Sequence, residues 1–323
     1  MPPVEGEDGG HGECLPLELY NLGGSQGDLT LNKAAERPAA VQCFVETHAT
    51  AIMQKQFGRL EDSHHMLWGD VLPLNSSTGV LVAVRRGAVW DAQRIEMHVA
   101  ECKKFEKQGR LMAAQLFFSN GRQALIIYLI YGLSGSRGCQ ARRAVTLSIL
   151  RAAAKDAASR GGVATLLMGD INLEPCETGG FWGEMARAGW IDTNFWGQNG
   201  PDTSATCAKG KGSRIDWALA NPAAATLMRT YHVDSGLKKK DHGFVCLGLQ
   251  LSCLKQVYCV PRATAPAKNY RAPRKDEPVL DTVDDPRIPS LLQNAQVDHA
   301  LDIFCQRFSK MLERIPIEKE EEK

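Results

Sequence analysis

No pair of cysteines in this chain is spaced CxxC, although ten cysteines are present. That absence removes zinc ribbons and fingers, which need paired soft ligands at short spacing. Several cysteines instead sit inside apolar runs, as in Val41-Gln-Cys-Phe-Val45 and Phe244-Val-Cys-Leu247, where a reduced thiol serves as a small core residue. No run reaches the ~18 consecutive apolar residues that suit a membrane span. The amino-terminal MPPVEGEDGGHGE has neither the basic nor the apolar region of a secretory leader. The expectation is a soluble, intracellular, unsecreted protein with no membrane partner. No internal repeat is visible. Nor does one sign of charge dominate: 38 Lys and Arg against 37 Asp and Glu leave a formal net charge of +1. Any affinity for nucleic acid must therefore come from a local basic patch.

What is present is enough apolar material for a sizeable core, 44% of 323 residues, arranged in short runs. Residues 1–13, polar and rich in Gly and acid, read as a disordered lead-in. From Cys14 to about Ser252, strands are expected over Leu15 to Tyr20, Val41 to Val45, Gly79 to Val84, Leu111 to Phe118, Gln123 to Tyr131, Val163 to Met168, Ile215 to Leu219 and Phe244 to Leu251. Ser119-Asn-Gly-Arg122 marks a hairpin, because Asn-Gly accepts the positive φ angles of a type I′ turn. Helices are expected over Ala49 to Phe57, Gln140 to Ser159 and Phe181 to Ala188. Leu111 to Tyr131 leaves no room for a crossover helix, so the sheets should be antiparallel or mixed and covered by helices. Residues 253–289 read as a Pro-rich basic linker. Over 290–317, Val297, Ala300, Leu301, Phe304, Phe308, Met311 and Leu312 recur at helical spacing and predict one amphipathic helix. Residues 318–323 form a charged tail.

Polar residues end several of these runs. Asn21 closes the first in YNLGG, and Glu46 closes the second in FVETH. Asp170 and Asn172 follow LLMG in LLMGDINLEP. Arg214 and Asp216, two apart and so on one face of a strand, stand in SRIDW. Asp241 and His242 precede the last run. Singly, each has an ordinary reading: a turn Asn, an exposed strand-end acid, a same-face ion pair, a surface Asp-His. Together, four carboxylates without a cysteine or histidine cluster suit a hard cation such as Mg²⁺, with Mn²⁺ as a substitute, better than zinc. Asn21 and Asn172 add neutral donors, and His242 is the side chain of the set that titrates near neutrality. Hydrolysis of a phosphate ester needs these parts: a Lewis acid, an activated water and donors for developing charge.

The ordered series Asn21, Glu46 in ETH, Tyr131 in IYGLSG, Asp170 and Asn172 in GDIN, Arg214 and Asp216 in SRIDW, and Asp241-His242 resembles the endonuclease/exonuclease/phosphatase superfamily. Within it the series is most similar to endonuclease domains of non-LTR retrotransposons, relatives of the apurinic/apyrimidinic endonucleases. The resemblance spans residues 14 to about 251. It implies a DNase I-like α/β fold: a four-layer α/β/β/α sandwich of two packed mixed sheets, here with a C-terminal helical appendage. It also implies roles. Glu46, with Asn21 and Asp241, would hold the metal. Asp170 would activate water, and Asn172 would hold that water or the phosphate. His242, oriented by Asp216, and Tyr131 would contact the scissile phosphate. Two departures stand out: Lys240 replaces the family's usual Ser before Asp-His, and YNLGG lacks the acid that repair enzymes often carry after the Asn.

Basic segments lie against the site in sequence, namely Lys238, Lys239 and Lys240 beside Asp241, and Lys209, Lys211 and Arg214 before Asp216. Such flanks would neutralise neighbouring phosphates and favour DNA as substrate. The expected function is a Mg²⁺-dependent endonuclease, retroelement-derived, nicking target DNA to leave a 3′-hydroxyl. It would be nuclear if it acts on genomic DNA, with a reverse transcriptase as fused or separate partner through the C-terminal linker and helix. The alternatives are a phosphatase or phosphodiesterase on inositol phosphate or lipid substrates, and an inactive nucleic-acid-binding module.

Overall fold

The computed structural model describes residues 14–23, 36–48, 50, 54, 62–70, 78–118, 123–234 and 241–253. All of them fall in the first of the two units, Met1–Cys259 and Val260–Lys323, into which the chain divides. The expected linker, amphipathic helix and tail lie outside the described residues. So do the Asn-Gly turn and, apart from Thr50 and Gln54, the helix expected over Ala49 to Phe57. Gln54 does donate its backbone N–H to Thr50 O at 3.0 Å, an i to i−4 bond of helical type.

Among the described residues, twelve strands form two mixed sheets, as the apolar runs and the hairpin imply. The first sheet contains β1 (Cys14–Asn21), β2 (Val41–Val45), β3 (His64–Trp68), β4 (Val80–Arg85), β11 (Met228–Asp234) and β12 (Phe244–Gln250), in the order β11-β12-β1-β2-β4-β3. The second contains β5 (Asp91–Arg94), β6 (Leu111–Phe118), β7 (Gln123–Tyr131), β8 (Ala164–Asp170), β9 (Ile191–Asp192) and β10 (Asp216–Ala220), in the order β5-β6-β7-β8-β10-β9. Among the described strands, only β1/β2 and β7/β8 pair in parallel. The α-helices among the described elements are α1 (Ala100–Lys107), α2 (Gln140–Ala158), α3 (Gly180–Arg187) and the one-turn α4 (Pro222–Ala225), with short 3-10 turns at Pro175–Thr178, Thr193–Trp196 and Leu251–Cys253.

Alternation decides which side chain goes where. In β1, Leu15, Leu17 and Leu19 join Val41, Cys43 and Val45 of β2, Leu125, Ile127 and Leu129 of β7, and Leu166 and Met168 of β8 in one core between the sheets. The intervening residues of the second sheet, among them Ile126, Tyr128, Ile130, Leu167 and Trp217, face a second core with Cys102 and Phe105 of α1, Ile149, Leu150 and Ala153 of α2, and Phe181 and Met185 of α3. A strand buried on both faces must be apolar throughout. Hence β7 reads as an unbroken run, ALIIYLIY.

One buried charge pins that helical layer. Asp156 of α2 accepts from the Tyr128 hydroxyl at 2.5 Å and from Val99 N at 2.8 Å, and pairs with Arg160 at 2.8 Å. Burial opposes its charge, but the Tyr128 hydroxyl, the Val99 N–H and Arg160 outweigh it and hold the carboxyl below its usual range. Asp156→Ala would leave the Tyr128 hydroxyl proton without its acceptor and the nearly buried Arg160 guanidinium without its counter-charge. The expected cost is about 3–5 kcal/mol of folding free energy, measurable by urea denaturation.

Candidate active site

Register brings the polar strand ends together. Asn21 ends β1 opposite Val45, the last residue of β2, so Glu46 follows at the same level. In the other sheet, Asp170 is aligned with Tyr131 on one side and Asp216 on the other. β12 runs antiparallel to β1 and starts beside its end, which brings His242 to the same edge. Two sheets packed face to face thus present Asn21, Glu46, Tyr131, Asp170, Asp216 and His242 at one end of the sandwich.

Backbone geometry at this edge is unusual for L-residues. Among the described non-glycine residues, left-handed conformations occur at Glu46 (φ 55°), His48 (φ 49°) and Asn172 (φ 57°). Each costs on the order of 1–3 kcal/mol unless its surroundings impose it, and such residues gather at functional sites. At Asn172 the imposition is visible. Its N–H meets Asp170 Oδ1 at 3.0 Å, Ile171 N reaches Ile215 O at 2.8 Å, and Trp217 Nε1 donates to Leu173 O at 2.9 Å. Trp217 is itself buried and edge-on to Trp182, 5.9 Å between centroids. Close approach explains the glycine of the GDIN corner: a Cβ on Gly169 would lie 1.8 Å from Ile130 O.

Asp170 sits at the centre. Asn21 Nδ2 donates to its Oδ2 at 2.7 Å, while the Asn172 N–H takes Oδ1. Burial, and then the Asp216 charge, push its carboxyl up to about 7, against the opposing influence of His242 and the two donors. Asp216 Oδ2 lies 2.8 Å from His242 Nδ1. Asp216 Oδ1 is buried with no hydrogen-bond partner. For His242, burial works against the charged form, but Asp216 by charge and hydrogen bond, and then Asp170 and Glu46, outweigh it and push the imidazolium up to about 9. Tyr131 stays protonated, raised by burial and by Glu46 and Asp170, with the Arg110 guanidinium 5.2 Å from its ring centroid.

Asp170, Asp216 and His242 offer ligand atoms within 4.8 Å of one another. Glu46, half-buried, feeds the same electrostatics and has His48 Nε2 3.9 Å away. An oxygen-rich set with one imidazole and an unpartnered carboxylate oxygen fits a hard divalent cation.

Other expected residues are placed differently. Asp241 does not join the cluster. On an extended segment neighbours point opposite ways, so with His242 turned inward, Asp241 is more than half exposed and pairs with Lys209 Nζ at 3.1 Å. Asn21 is committed at both ends of its amide, to Asp170 and to Gly23 N at 2.7 Å, and so holds Asp170 in place. Arg214 does not stand at the surface for nucleic acid, nor does it pair with Asp216. Its side chain is 11% exposed and bonded to Asp192. Lys209, paired with Asp241, and Lys211, two residues further along the chain, are both exposed. Lys238, Lys239 and Lys240 lie outside the described residues. Trp217, Asp192, Thr206 and Arg110 were not singled out by the sequence, because only folding brings them to Leu173, Arg214, Asp216 and Tyr131.

No family model matches the sequence, and no curated protein matches it. Solved structures do. An AP endonuclease from Archaeoglobus fulgidus is 14% identical with a TM-score of 0.55 over 73% of this chain and 99% of its own. The 3′-5′ exonuclease NExo from Neisseria meningitidis is 15% identical with a TM-score of 0.56 over 73% and 99%. The endonuclease domain of TRAS1, a telomere-specific non-LTR retrotransposon, is 14% identical with a TM-score of 0.53 over 74% and 99%. At such identities the likeness is one of fold.

Proposed function

We propose that this chain, whose fold is that of the endonuclease/exonuclease/phosphatase superfamily, is a divalent-metal-dependent endonuclease that hydrolyses DNA phosphodiester bonds. The observation that carries the reading is the buried Asp170 carboxylate, aimed by Asn21 and Asn172 and set beside the Asp216–His242 pair. A carboxylate pushed up to about 7 accepts a proton near neutrality, which suits a general base acting on water. An imidazolium that persists up to about 9 provides a cation for a phosphoryl oxygen. Its Nδ1 is directed to Asp216, which leaves Nε2 for the substrate.

Glu46 with the Asp170 side of the cluster would hold the cation, Mg²⁺ or Mn²⁺. When bound, the ion supplies Lewis-acid stabilisation of the charge that builds on the phosphoryl oxygens. The chain's own residues do the rest. Asp170 takes the proton of the attacking water, Asn172 holds the water or the phosphate, and His242 and the protonated Tyr131 hydroxyl donate to the phosphoryl group. Water adds to phosphorus as its proton passes to Asp170, the bond to the 3′-oxygen breaks, and that oxygen leaves with a proton taken from solvent water. The products carry 5′-phosphate and 3′-hydroxyl ends.

Two exposed cations, Lys209, which reaches Asp241 beside His242, and Lys211 two residues on, support DNA over a small phosphate ester, by offering charge to neighbouring phosphates. A retroelement origin is supported by the likeness to the TRAS1 domain and by the Pro-rich segment after Ser252. The test sets two substrates side by side: with Mg²⁺, the purified chain should nick supercoiled plasmid and release no phosphate from inositol polyphosphates. Phosphate release without nicking would overturn the nuclease reading in favour of a phosphomonoesterase.

A further inference from the structure

The two halves of the Asp216–His242 pair come from segments 26 residues apart, and neither segment hydrogen-bonds the other through its backbone among the bonds the structure shows. A third segment joins them. Thr206 is 1% exposed, and its Oγ1 accepts from Ile215 N at 3.1 Å and from Asp216 N at 2.9 Å. Its backbone is tied to the same side, Thr206 N to Ser213 O at 3.0 Å, and to the opposite side, where Gly243 N donates to Thr206 O at 2.8 Å. Cys207 bridges both Ser213 and His242 in antiparallel fashion, and Ala208 N donates to Asp241 O at 2.6 Å.

From this geometry we infer that Thr206 is a positioning residue for the reaction: its hydroxyl fixes the Asp216 backbone while its carbonyl fixes the residue after His242. The inference rests on the nuclease reading for its kinetic consequence, though not for its structural one. The logic lies in the hydroxyl oxygen. Two consecutive backbone N–H groups at the start of β10 point at one acceptor, and without it both are buried unsatisfied. Asp216 then keeps only the β8 side of its backbone anchored, through register with Asp170 and the Ile171 N to Ile215 O bond, and misplacement by a fraction of an ångström is felt by a proton-transfer or phosphate-contacting group. Thr206 touches no reacting atom. Its effect passes through Asp216 to His242.

Thr206→Val keeps the shape and removes the acceptor, Thr206→Ser keeps the acceptor, and Thr206→Cys offers a weaker one. In plasmid nicking, Thr206→Val should lower kcat by about 10²-fold, within the range a displaced acid–base group costs, with KM within about twofold because the substrate-facing cations are untouched. Thr206→Ser should restore kcat to within about threefold of the parent. The second readout is the low-field imidazole N–H proton resonance of the His242–Asp216 hydrogen bond, assigned by its loss in His242→Ala. It should persist in Thr206→Ser and vanish in Thr206→Val. Should Thr206→Val fail to fold, Thr206→Cys decides, with kcat expected at least about tenfold down and the resonance weakened. Parent-like kcat and an unchanged resonance in the folded acceptor-deficient variant would overturn the inference. A parent that does not nick DNA would overturn the nuclease reading alone, and the resonance would still decide the role of Thr206.

Discussion

Asp170→Asn should abolish nicking, by at least about 10³-fold, in a chain that still folds, although the amide turns one of two accepting oxygens into a donor facing Asn21 Nδ2 or the Asn172 N–H. The asymmetry follows from the environment of the carboxyl. Asp170 is fully buried next to Asp216, and those two influences raise it from its ordinary range to about 7. A carboxyl raised on folding binds its proton more tightly in the native than in the unfolded chain. Its contribution favours the fold at low pH and is lost as pH rises from about 4 through 7. Above pH 7 the native protein therefore carries a buried like-charge pair that an amide relieves. Thermal melts without divalent cation should show the Asp170→Asn variant gaining on the parent as pH rises from 5 to 8. Added Mg²⁺ should then raise the melting temperature of the parent, whose carboxylates gain a counter-charge, and leave the variant nearly unmoved. A variant with parental nicking would remove Asp170 from the chemistry.

His242→Ala carries the second large expectation, a loss of about 10²–10⁴-fold in nicking. Here the linkage runs the other way. The imidazolium is raised to about 9, so its stabilising contribution is complete below about pH 6.5 and disappears as pH rises through 9. The stability gap between parent and His242→Ala should close over that window, as urea denaturation at pH 6, 8 and 9.5 would register. The two groups together give kcat/KM a bell shape in pH, rising with Asp170 deprotonation and falling with His242 deprotonation. A divalent cation beside them favours the deprotonated forms, and so both limbs should move toward acid as its concentration increases. A flat profile from pH 6 to 9.5 would contradict the assigned protonation states.

Much of the fold was legible because burial on two faces leaves a plain pattern. VQCFV, LMAAQLFF and QALIIYLIY are strands over the residues expected, and the long helix begins at Gln140 as expected. The strands that escaped notice are mostly edges. HHMLW and DAQR face water on one side and carry polar residues accordingly, and MRTYHVD has its polar positions exposed. Helix Ala100–Lys107 was equally quiet, since Val99 at its start offers no capping side chain and only Cys102, Phe105 and Glu106 are buried. The site shows the same division. Asn21, Asp170, Asp216 and His242 could be read because each stands at the end or the start of an apolar run. Their partnerships could not, because they depend on register: Arg214 and Asp216 share a sequence neighbourhood but face Asp192 and His242 respectively. Nothing in ATCAKG distinguishes Thr206 from a loop threonine until the chain folds it against β10.

Relaxation of supercoiled plasmid by the purified chain, in Mg²⁺ with and without excess EDTA, tests the catalytic assignment most directly. Open-circular product should form in Mg²⁺, its nicks should carry 3′-hydroxyl ends that a polymerase extends, and EDTA or the Asp170→Asn substitution should prevent it. A folded chain that leaves the plasmid intact in Mg²⁺ and in Mn²⁺, or one that nicks equally well in EDTA, would contradict a metal-dependent endonuclease built on Asp170, Asp216 and His242.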